Sequence, residues 1–113
     1  MENQSELFDE LMKQREKLEQ ALPALAAAQD AMRDEGYKDG ALSRKVKRLM
    51  ALGIALAVGC TSCILAQTKR AIEAGATKDE VMETIGVTLV MRGTTGTAES
   101  LRVVKLLDEL GTQ

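Results

Sequence analysis

The 113-residue chain contains no histidine and no tryptophan, and it has only one proline, one phenylalanine and one tyrosine. Without histidine, a single chain cannot form a Ser-His-Asp or Cys-His catalytic pair, a histidine general base or a zinc site built on imidazole. Any chemistry must therefore come from Cys, Asp, Glu, Lys, Arg, Tyr or the backbone. We predict no cofactor and no metal site.

The chain also lacks a large excess of basic or acidic residues, because it has 15 basic and 17 acidic ones. The net charge of −2 gives no strong overall field for nucleic acid or an anionic membrane. Residues 44–48 (RKVKR) form a basic run, but no aromatic side chains accompany it to stack on bases. We interpret this run as a solvent-facing helix start and expect no nucleic-acid partner.

The run Leu49–Ala66 contains no charged residue and follows this basic cluster, so its length alone would admit a transmembrane helix. Gly, Cys, Thr and Ser interrupt the run at residues 59–63, and no Trp or Tyr flanks it. We favour a helix buried in a protein core and expect no membrane partner. The acidic start Met-Glu-Asn-Gln-Ser-Glu is unlike a secretory signal, so we expect a cytoplasmic protein.

Every clearly periodic run has the helical period, which predicts an all-α fold of about five to six helices. An amphipathic stripe covers residues 7–25, where Pro23 either starts a second helix or kinks the first. Helices are expected over about 44–58, 61–74 and 77–91, with Ser43 and Thr77 as N-caps and Gly59 and Gly75 as stops. Residues 93–96 are expected to form a loop. A last helix is expected to present one apolar face, made of Leu101, Val104, Leu107 and Leu110.

These elements predict one domain over residues 1–113, with an N-terminal helical segment (1–36) and a motif-bearing core (39–110). The helix over 44–58 is apolar on every face after its first turn, which is typical of a helix surrounded by protein. With so few aromatic residues, the core must be built from small and aliphatic side chains. We therefore expect part of the apolar surface to be buried between subunits of a homo-oligomer.

The motif Cys60-Thr61-Ser62-Cys63 follows a glycine and opens a predicted helix. Positions i and i+3 share one helix face, so the two sulfurs can form a disulfide. A helix N-terminus favours a thiolate, which indicates a redox dithiol. An inert buried pair and half of a metal site are the alternatives, although no second Cys pair completes four metal ligands in one chain.

Residues 39–85 resemble the carboxymuconolactone decarboxylase-like family, and the CxxC motif is most similar to its alkylhydroperoxidase D-like branch. The similarity lies in the LSRK helix start, the Ala-rich helix, CTSC and the turn AIEAGATKDE. The resemblance implies an all-α helical bundle, assembly into homotrimers or homohexamers, and reduction of peroxides or disulfides with electrons from a dithiol or protein redox partner. It also implies that Cys63 is the reactive thiolate, and that Cys60 is its proton donor and disulfide partner.

The family's proton relay uses a glutamate and a histidine where this chain has Arg48 and Gln67. Glutamine cannot shuttle a proton, and arginine stays protonated. In one hypothesis Arg48 keeps the Cys63 thiol ionised by its charge and Gln67 donates a hydrogen bond to the sulfur. The alternative places Arg48 in solvent and Gln67 on the helix surface or in an interface.

Two functions therefore stay open at the level of sequence. The first is a thiol-disulfide oxidoreductase or peroxidase that works without the family relay. The second is a non-catalytic oligomeric binding or scaffold module with a redox-sensitive or vestigial cysteine pair. Lactone decarboxylation is a third possibility, which we rank last because that branch resembles the chain less at the CxxC motif and relies on histidine.

Overall fold

The computed structural model describes residues 1–112, and these residues form helices and turns with no strand. The six helices in chain order are α1 (Gln4–Ala21), α2 (Pro23–Tyr37), α3 (Arg44–Val58), α4 (Thr61–Glu73), α5 (Lys78–Arg92) and α6 (Thr94–Glu109). The predicted all-α class and the number of helices are confirmed. The predicted domain ends at residue 113, which lies outside the described residues.

Pro23 separates α1 from α2 and is the first residue of α2. Proline suits this position because the first helical N–H has no intrahelical acceptor. The preceding Leu22 has a non-helical backbone (φ −130°, ψ 60°), so the chain has two helices here and not one kinked helix. Only the first half of the predicted stripe is buried, around Phe8, whereas Leu18 and Leu25 are 60% and 63% exposed.

The main core lies between α3, α4, α5 and α6. Helix α3 contributes Leu52, Ala55 and Leu56, all of them buried. Within one chain α3 is covered on one side only, because Ile54 and Val58 on its other side are 64% and 75% exposed. That protein surrounds α3 on every face therefore stays a prediction, which requires a second subunit. Among residues 1–112, no helix is long and apolar enough to cross a membrane, since Gly59 ends α3 in the left-handed conformation (φ 82°).

Residues 93–96 were expected to form a loop, and this prediction is wrong. Gly93 alone turns the chain (φ 64°), and α6 begins at Thr94. Gly96 is buried inside α6, where a Cβ atom would lie 3.3 Å from Arg92 Cβ and 3.4 Å from Thr88 Cγ2. This glycine therefore allows close packing of the first turn of α6 against the end of α5.

The predicted apolar face of α6 is also wrong in most of its members. Leu107 is buried, but Leu101, Val104 and Leu110 are 51%, 38% and 38% exposed. A strict spacing of three residues drifts around a helix that has 3.6 residues per turn. The face that packs on the core follows the mixed three- and four-residue spacing and consists of Gly96, Ser100, Val103, Leu106 and Leu107.

The predicted N-cap Thr77 at the start of α5 is confirmed, and it forms a capping box with Glu80. Thr77 Oγ1 accepts a hydrogen bond from Glu80 N, and Glu80 Oε1 accepts one from Thr77 N at 2.9 Å. The same carboxylate pairs with Lys45 Nζ at 2.7 Å and so connects the first turns of α3 and α5. The hydrogen bond from Lys45, followed by that from the Thr77 backbone, lowers the pKa of Glu80 below its ordinary value of 4.5.

This pairing predicts a pH-dependent contribution of Glu80 to stability. Because the folded pKa is lowered, the charged carboxylate stabilises the fold above pH 4.5, and that contribution is lost as the pH falls through the folded pKa. Glu80→Gln should lower the free energy of unfolding at pH 7 and have progressively less effect in acid. Urea denaturation of Glu80→Gln, Lys45→Gln and the double variant measures the coupling, and a coupling independent of pH would contradict this assignment.

Candidate functional site

The cysteine pair lies at the junction of α3 and α4. Cys60 is the N-cap of α4 and Cys63 belongs to its first turn. Their Cα atoms are 5.2 Å apart and the two residues are joined as a disulfide. The left-handed Gly59 turns the chain sharply enough for α4 to begin directly after α3. The expected position of the CxxC motif at a helix start is confirmed.

The surroundings of the two sulfurs differ. Cys63 is exposed, whereas Cys60 is half-buried. The Sγ atom of Cys60 accepts a hydrogen bond from Cys63 N at 3.4 Å and lies 3.6 Å from Ser62 Oγ. After reduction, the N–H groups of this first helical turn would favour a thiolate. Cys63 is therefore the sulfur that an external molecule can reach.

A cavity of about 300 Å³ adjoins the disulfide, and its walls are mostly apolar. Ala51, Ile54, Ala55 and Val58 of α3 form one wall. Tyr37 and Gln67 supply its polar groups beside the two cysteines. Among the described residues, the lining of this cavity contains no Asp, Glu, Lys or Arg side chain.

Arg48 lies behind this cavity and is buried, with 8% of its surface exposed. Its guanidinium carbon is 3.5 Å from the centroid of the Tyr37 ring, and its Nη1 atom donates a hydrogen bond to Gln67 Oε1 at 3.1 Å. The alternative that Arg48 is a solvated charge is therefore wrong. Burial, with smaller contributions from the like charges of Arg44 and Arg70, lowers the pKa of Arg48 below its ordinary value.

Of the two predicted supporting residues, one lies beside the disulfide and the other contacts it indirectly. Gln67 lines the disulfide cavity, and Arg48 reaches that cavity through Gln67. Tyr37, the last residue of α2, was not among the predicted site residues. The one sequence feature that could have drawn attention to Tyr37 is that it is the single tyrosine of the chain. Among residues 1–112, no group of three or more His, Cys, Asp or Glu side chains could hold a metal ion.

Residues 23–106 match the model of the carboxymuconolactone decarboxylase family. The chain belongs to this family. It is 30% identical to an uncharacterized protein of Cupriavidus necator, over 89% of each chain.

Two solved structures of the carboxymuconolactone decarboxylase family share the fold. A family protein of Legionella pneumophila has a TM-score of 0.89 and 26% identity, covering 96% of this chain and 97% of that one. A family protein of Thermotoga maritima, for which a role in an antioxidative response has been suggested, has a TM-score of 0.71 and 27% identity. That match covers 78% of this chain and 91% of the other. The predicted family and its helical fold are thus confirmed.

Proposed function

We propose that this carboxymuconolactone decarboxylase family protein is a thiol-disulfide oxidoreductase or peroxidase that uses the Cys60–Cys63 pair. The observation that carries the proposal is the disulfide-bonded CxxC pair at the N-terminus of α4, with Cys63 exposed beside an apolar cavity. The antioxidative role suggested for the Thermotoga maritima relative agrees with this chemistry.

The reaction begins from the reduced dithiol. The Cys63 thiolate attacks the terminal oxygen of a hydroperoxide and the O–O bond breaks, with Cys63 oxidised to a sulfenic acid. The second oxygen takes the proton of the Cys60 thiol and leaves as an alcohol. The Cys60 thiolate then attacks the Cys63 sulfur, hydroxide leaves and takes a proton from solvent to become water, and the disulfide forms. An external dithiol or a protein redox partner supplies two electrons and two protons to restore the pair.

Arg48 is a positioning residue in this proposal, because it acts on Cys63 through Gln67. Arg48 donates its hydrogen bond to Gln67 Oε1, so the N–H groups on Gln67 Nε2 remain available to another acceptor. Among residues 1–112, neither sulfur accepts a hydrogen bond from Gln67 in the disulfide form. In the reduced protein, a Gln67 N–H that donates to the Cys63 sulfur, together with the positive charge of Arg48 behind it, would favour the thiolate without a base. This arrangement would replace the electrostatic part of the missing Glu and His relay, but not its proton transfer.

The charge of Arg48 should therefore be visible in the titration of Cys63. We expect a Cys63 pKa below the free-thiol value of about 8.5 in the reduced protein, and a rise of about one unit in Arg48→Met. Ultraviolet absorbance of the thiolate against pH measures this value in a Cys60→Ser background. Arg48→Lys keeps the charge, and Arg44→Met removes a neighbouring exposed charge. Neither variant should raise the Cys63 pKa as much as Arg48→Met does. A Cys63 pKa near 8.5 that is the same in every variant would contradict this role.

The non-catalytic scaffold is the second candidate, and the bond between Arg48 and Gln67 favours it to some extent. That bond occupies the side chain at the family's histidine position with a group that cannot titrate. Thiol labelling with mass spectrometry, before and after mild peroxide, separates the two candidates. Rapid and reversible loss of both thiols supports the redox function, and thiols unchanged over hours support the scaffold.

We also propose that the protein is a homo-oligomer, a trimer or a hexamer. A second cavity, of about 500 Å³, runs between α3 and α5 and is almost entirely apolar. Its walls include Met50, Ile54, Val87 and Met91, which are 50% to 78% exposed. Apolar side chains exposed this far in one continuous groove are typical of a surface covered by another subunit.

A further inference from the structure

A cluster of three arginines lines a separate cavity, and two of its members, Arg44 and Arg70, have no role in the chemistry proposed above. Arg44, Arg48 and Arg70 line a cavity of about 300 Å³ together with Glu73 and Ala74. Three guanidinium groups thus face one carboxylate. Glu73 is already engaged, because Arg70 Nη1 donates to its two carboxylate oxygens at 3.0 and 3.1 Å.

The buried member of this cluster has no anionic partner. Among residues 1–112, Arg48 makes no ion pair, and its hydrogen bond goes to the neutral Gln67. Its Nε atom is buried and has no hydrogen-bond acceptor. A charge that is removed from water is costly unless an opposite charge or several acceptors compensate it. The face of Tyr37 compensates part of this cost, and the remainder indicates that an anion belongs beside Arg48.

Arg44, which lines the same cavity, also lacks an anionic partner for its side chain within residues 1–112. It is exposed at the start of α3, and its side chain makes no ion pair among the described residues. The Asp39 carboxylate accepts a hydrogen bond from the backbone N–H of Arg44 at 2.7 Å, and Asp39 does not line the cavity. The arginine cavity therefore keeps an excess of positive charge.

The arginine cavity and the disulfide lie along the same face of α4. Cys63, Gln67 and Arg70 are spaced by four and three residues, so Arg70 lies about 10 Å along the helix from Cys63. Gln67 borders both the disulfide cavity and a neighbouring cavity that contains Arg48 and Arg70. Two carboxylates, Asp30 and Asp34, also line that neighbouring cavity, but its four guanidinium groups leave the positive charge in excess there too. A ligand of moderate length can thus reach the arginines at one end and Cys63 at the other.

We propose that Arg44, Arg48 and Arg70 bind a carboxylate or phosphate group on the substrate of Cys63, so that the protein prefers anionic disulfides or hydroperoxides to neutral ones of equal length. This inference rests on the redox function proposed above. With a disulfide substrate, the Cys63 thiolate attacks one substrate sulfur and releases the first thiolate. Cys60 then attacks Cys63 and releases the second, so the protein is oxidised by two electrons and the substrate is reduced to two thiols.

A binding experiment tests the anion site without any redox step. Hexanoate and inorganic phosphate are titrated separately into the oxidised protein at low salt, and binding is followed by NMR shifts of the arginine side chains. We expect saturable binding that weakens about tenfold in Arg70→Gln and in Arg44→Gln, since each exposed guanidinium supplies charge-assisted hydrogen bonds. Arg92→Gln removes the same charge from an exposed position outside these cavities and should bind as the wild type does.

A kinetic experiment tests whether the anion belongs to the substrate. The reduced protein is oxidised by dithiodihexanoate or by the uncharged dithiodihexanol, with dithiothreitol as the dithiol that restores it. We expect kcat/KM to favour the acid about tenfold or more, and this preference to disappear in Arg70→Gln but to persist in Arg92→Gln, which should also keep the wild-type rate for the diol.

The outcomes of the two experiments are distinct. Absent binding, or binding equal in Arg70→Gln and wild type, overturns the anion site. Binding of phosphate or hexanoate combined with equal rates for the acid and the diol shows that a free anion occupies the site, and overturns its assignment to the substrate. If neither disulfide and no hydroperoxide oxidises the dithiol, the proposed redox function fails, while the binding experiment still decides on the arginine cavity.

Discussion

Cys63→Ser should abolish turnover with both hydroperoxide and disulfide substrates, lowering the rate by at least about a thousandfold. The reason is that serine has the same shape but no ionisable sulfur, and Cys63 is the exposed member of the pair. The measurement is a dithiol-dependent reduction assay with a peroxide and with a small disulfide as separate substrates. Equal rates in Cys63→Ser and wild type would remove the enzymatic function.

Cys60→Ser is the matched variant, and the structure makes it a mild one. Cys60 is the N-cap of α4, and serine is among the best N-cap residues, so the helix start should be retained. In Cys60→Ser the first step remains and the second is blocked. A single equivalent of disulfide should therefore leave a stable mixed disulfide on Cys63, and a peroxide should leave a sulfenic acid that dimedone traps.

These trapping products also assign the roles of the two sulfurs. Mass spectrometry should find the adduct on Cys63 in Cys60→Ser and no adduct in Cys63→Ser. An adduct on Cys60 in Cys63→Ser, formed at a comparable rate, would reverse the roles that the family resemblance implies. Thermal unfolding of the reduced variants shows whether any loss of activity reflects loss of fold.

Local signals predicted the helix boundaries well. Ser43 and Thr77 were predicted as N-caps and Gly59 as a helix end, and each has that role in the structure. These effects depend on hydrogen bonds of one helical turn, so they can be inferred from short segments of sequence. The same reasoning located Cys60 and Cys63 at the start of α4, and the structure confirms that location.

Long-range packing accounts for what the sequence did not predict. Arg48 contacts Tyr37 and Gln67, which lie 11 and 19 positions away, and no spacing rule connects them. The basic run at 44–48 therefore indicated a solvent-facing helix, although its last residue is buried. Gly96 was taken for part of a loop because the tight approach of α5 and α6 that it permits is a tertiary feature.

The faces of the helices show the same limit. The uninterrupted apolar character of α3 predicted burial beyond the core of one chain, but it could not show which face lies inside. In the structure, Leu52 and Leu56 face the core while Met50 and Ile54 line the groove toward α5. The sequence thus predicted apolar surface outside the core of one chain, and the structure places exposed apolar side chains in the groove between α3 and α5.

Val87→Glu should dissociate the proposed oligomer. Val87 is 66% exposed and lines the apolar groove between α3 and α5, and it does not line the disulfide cavity. A carboxylate at this position would have to lose its water on association, at a cost of about 3 kcal/mol, roughly a hundredfold in the association constant. Light scattering coupled to size exclusion should show a trimer or hexamer for the wild type and a monomer for Val87→Glu at micromolar concentration.

Met32→Glu provides the comparison, because Met32 is an exposed apolar residue of α2 (70% exposed) and lies outside the groove. It should leave the molecular mass of the assembly unchanged. A wild-type monomer, or dissociation by Met32→Glu but not by Val87→Glu, would show that the groove is not the subunit interface. Because Ile54 lines both the groove and the disulfide cavity, a subunit seated in the groove would also approach the Cys63 site. Dissociation by Val87→Glu should then change the rate at which Cys63 reacts with a neutral thiol reagent, without any substitution in the site itself.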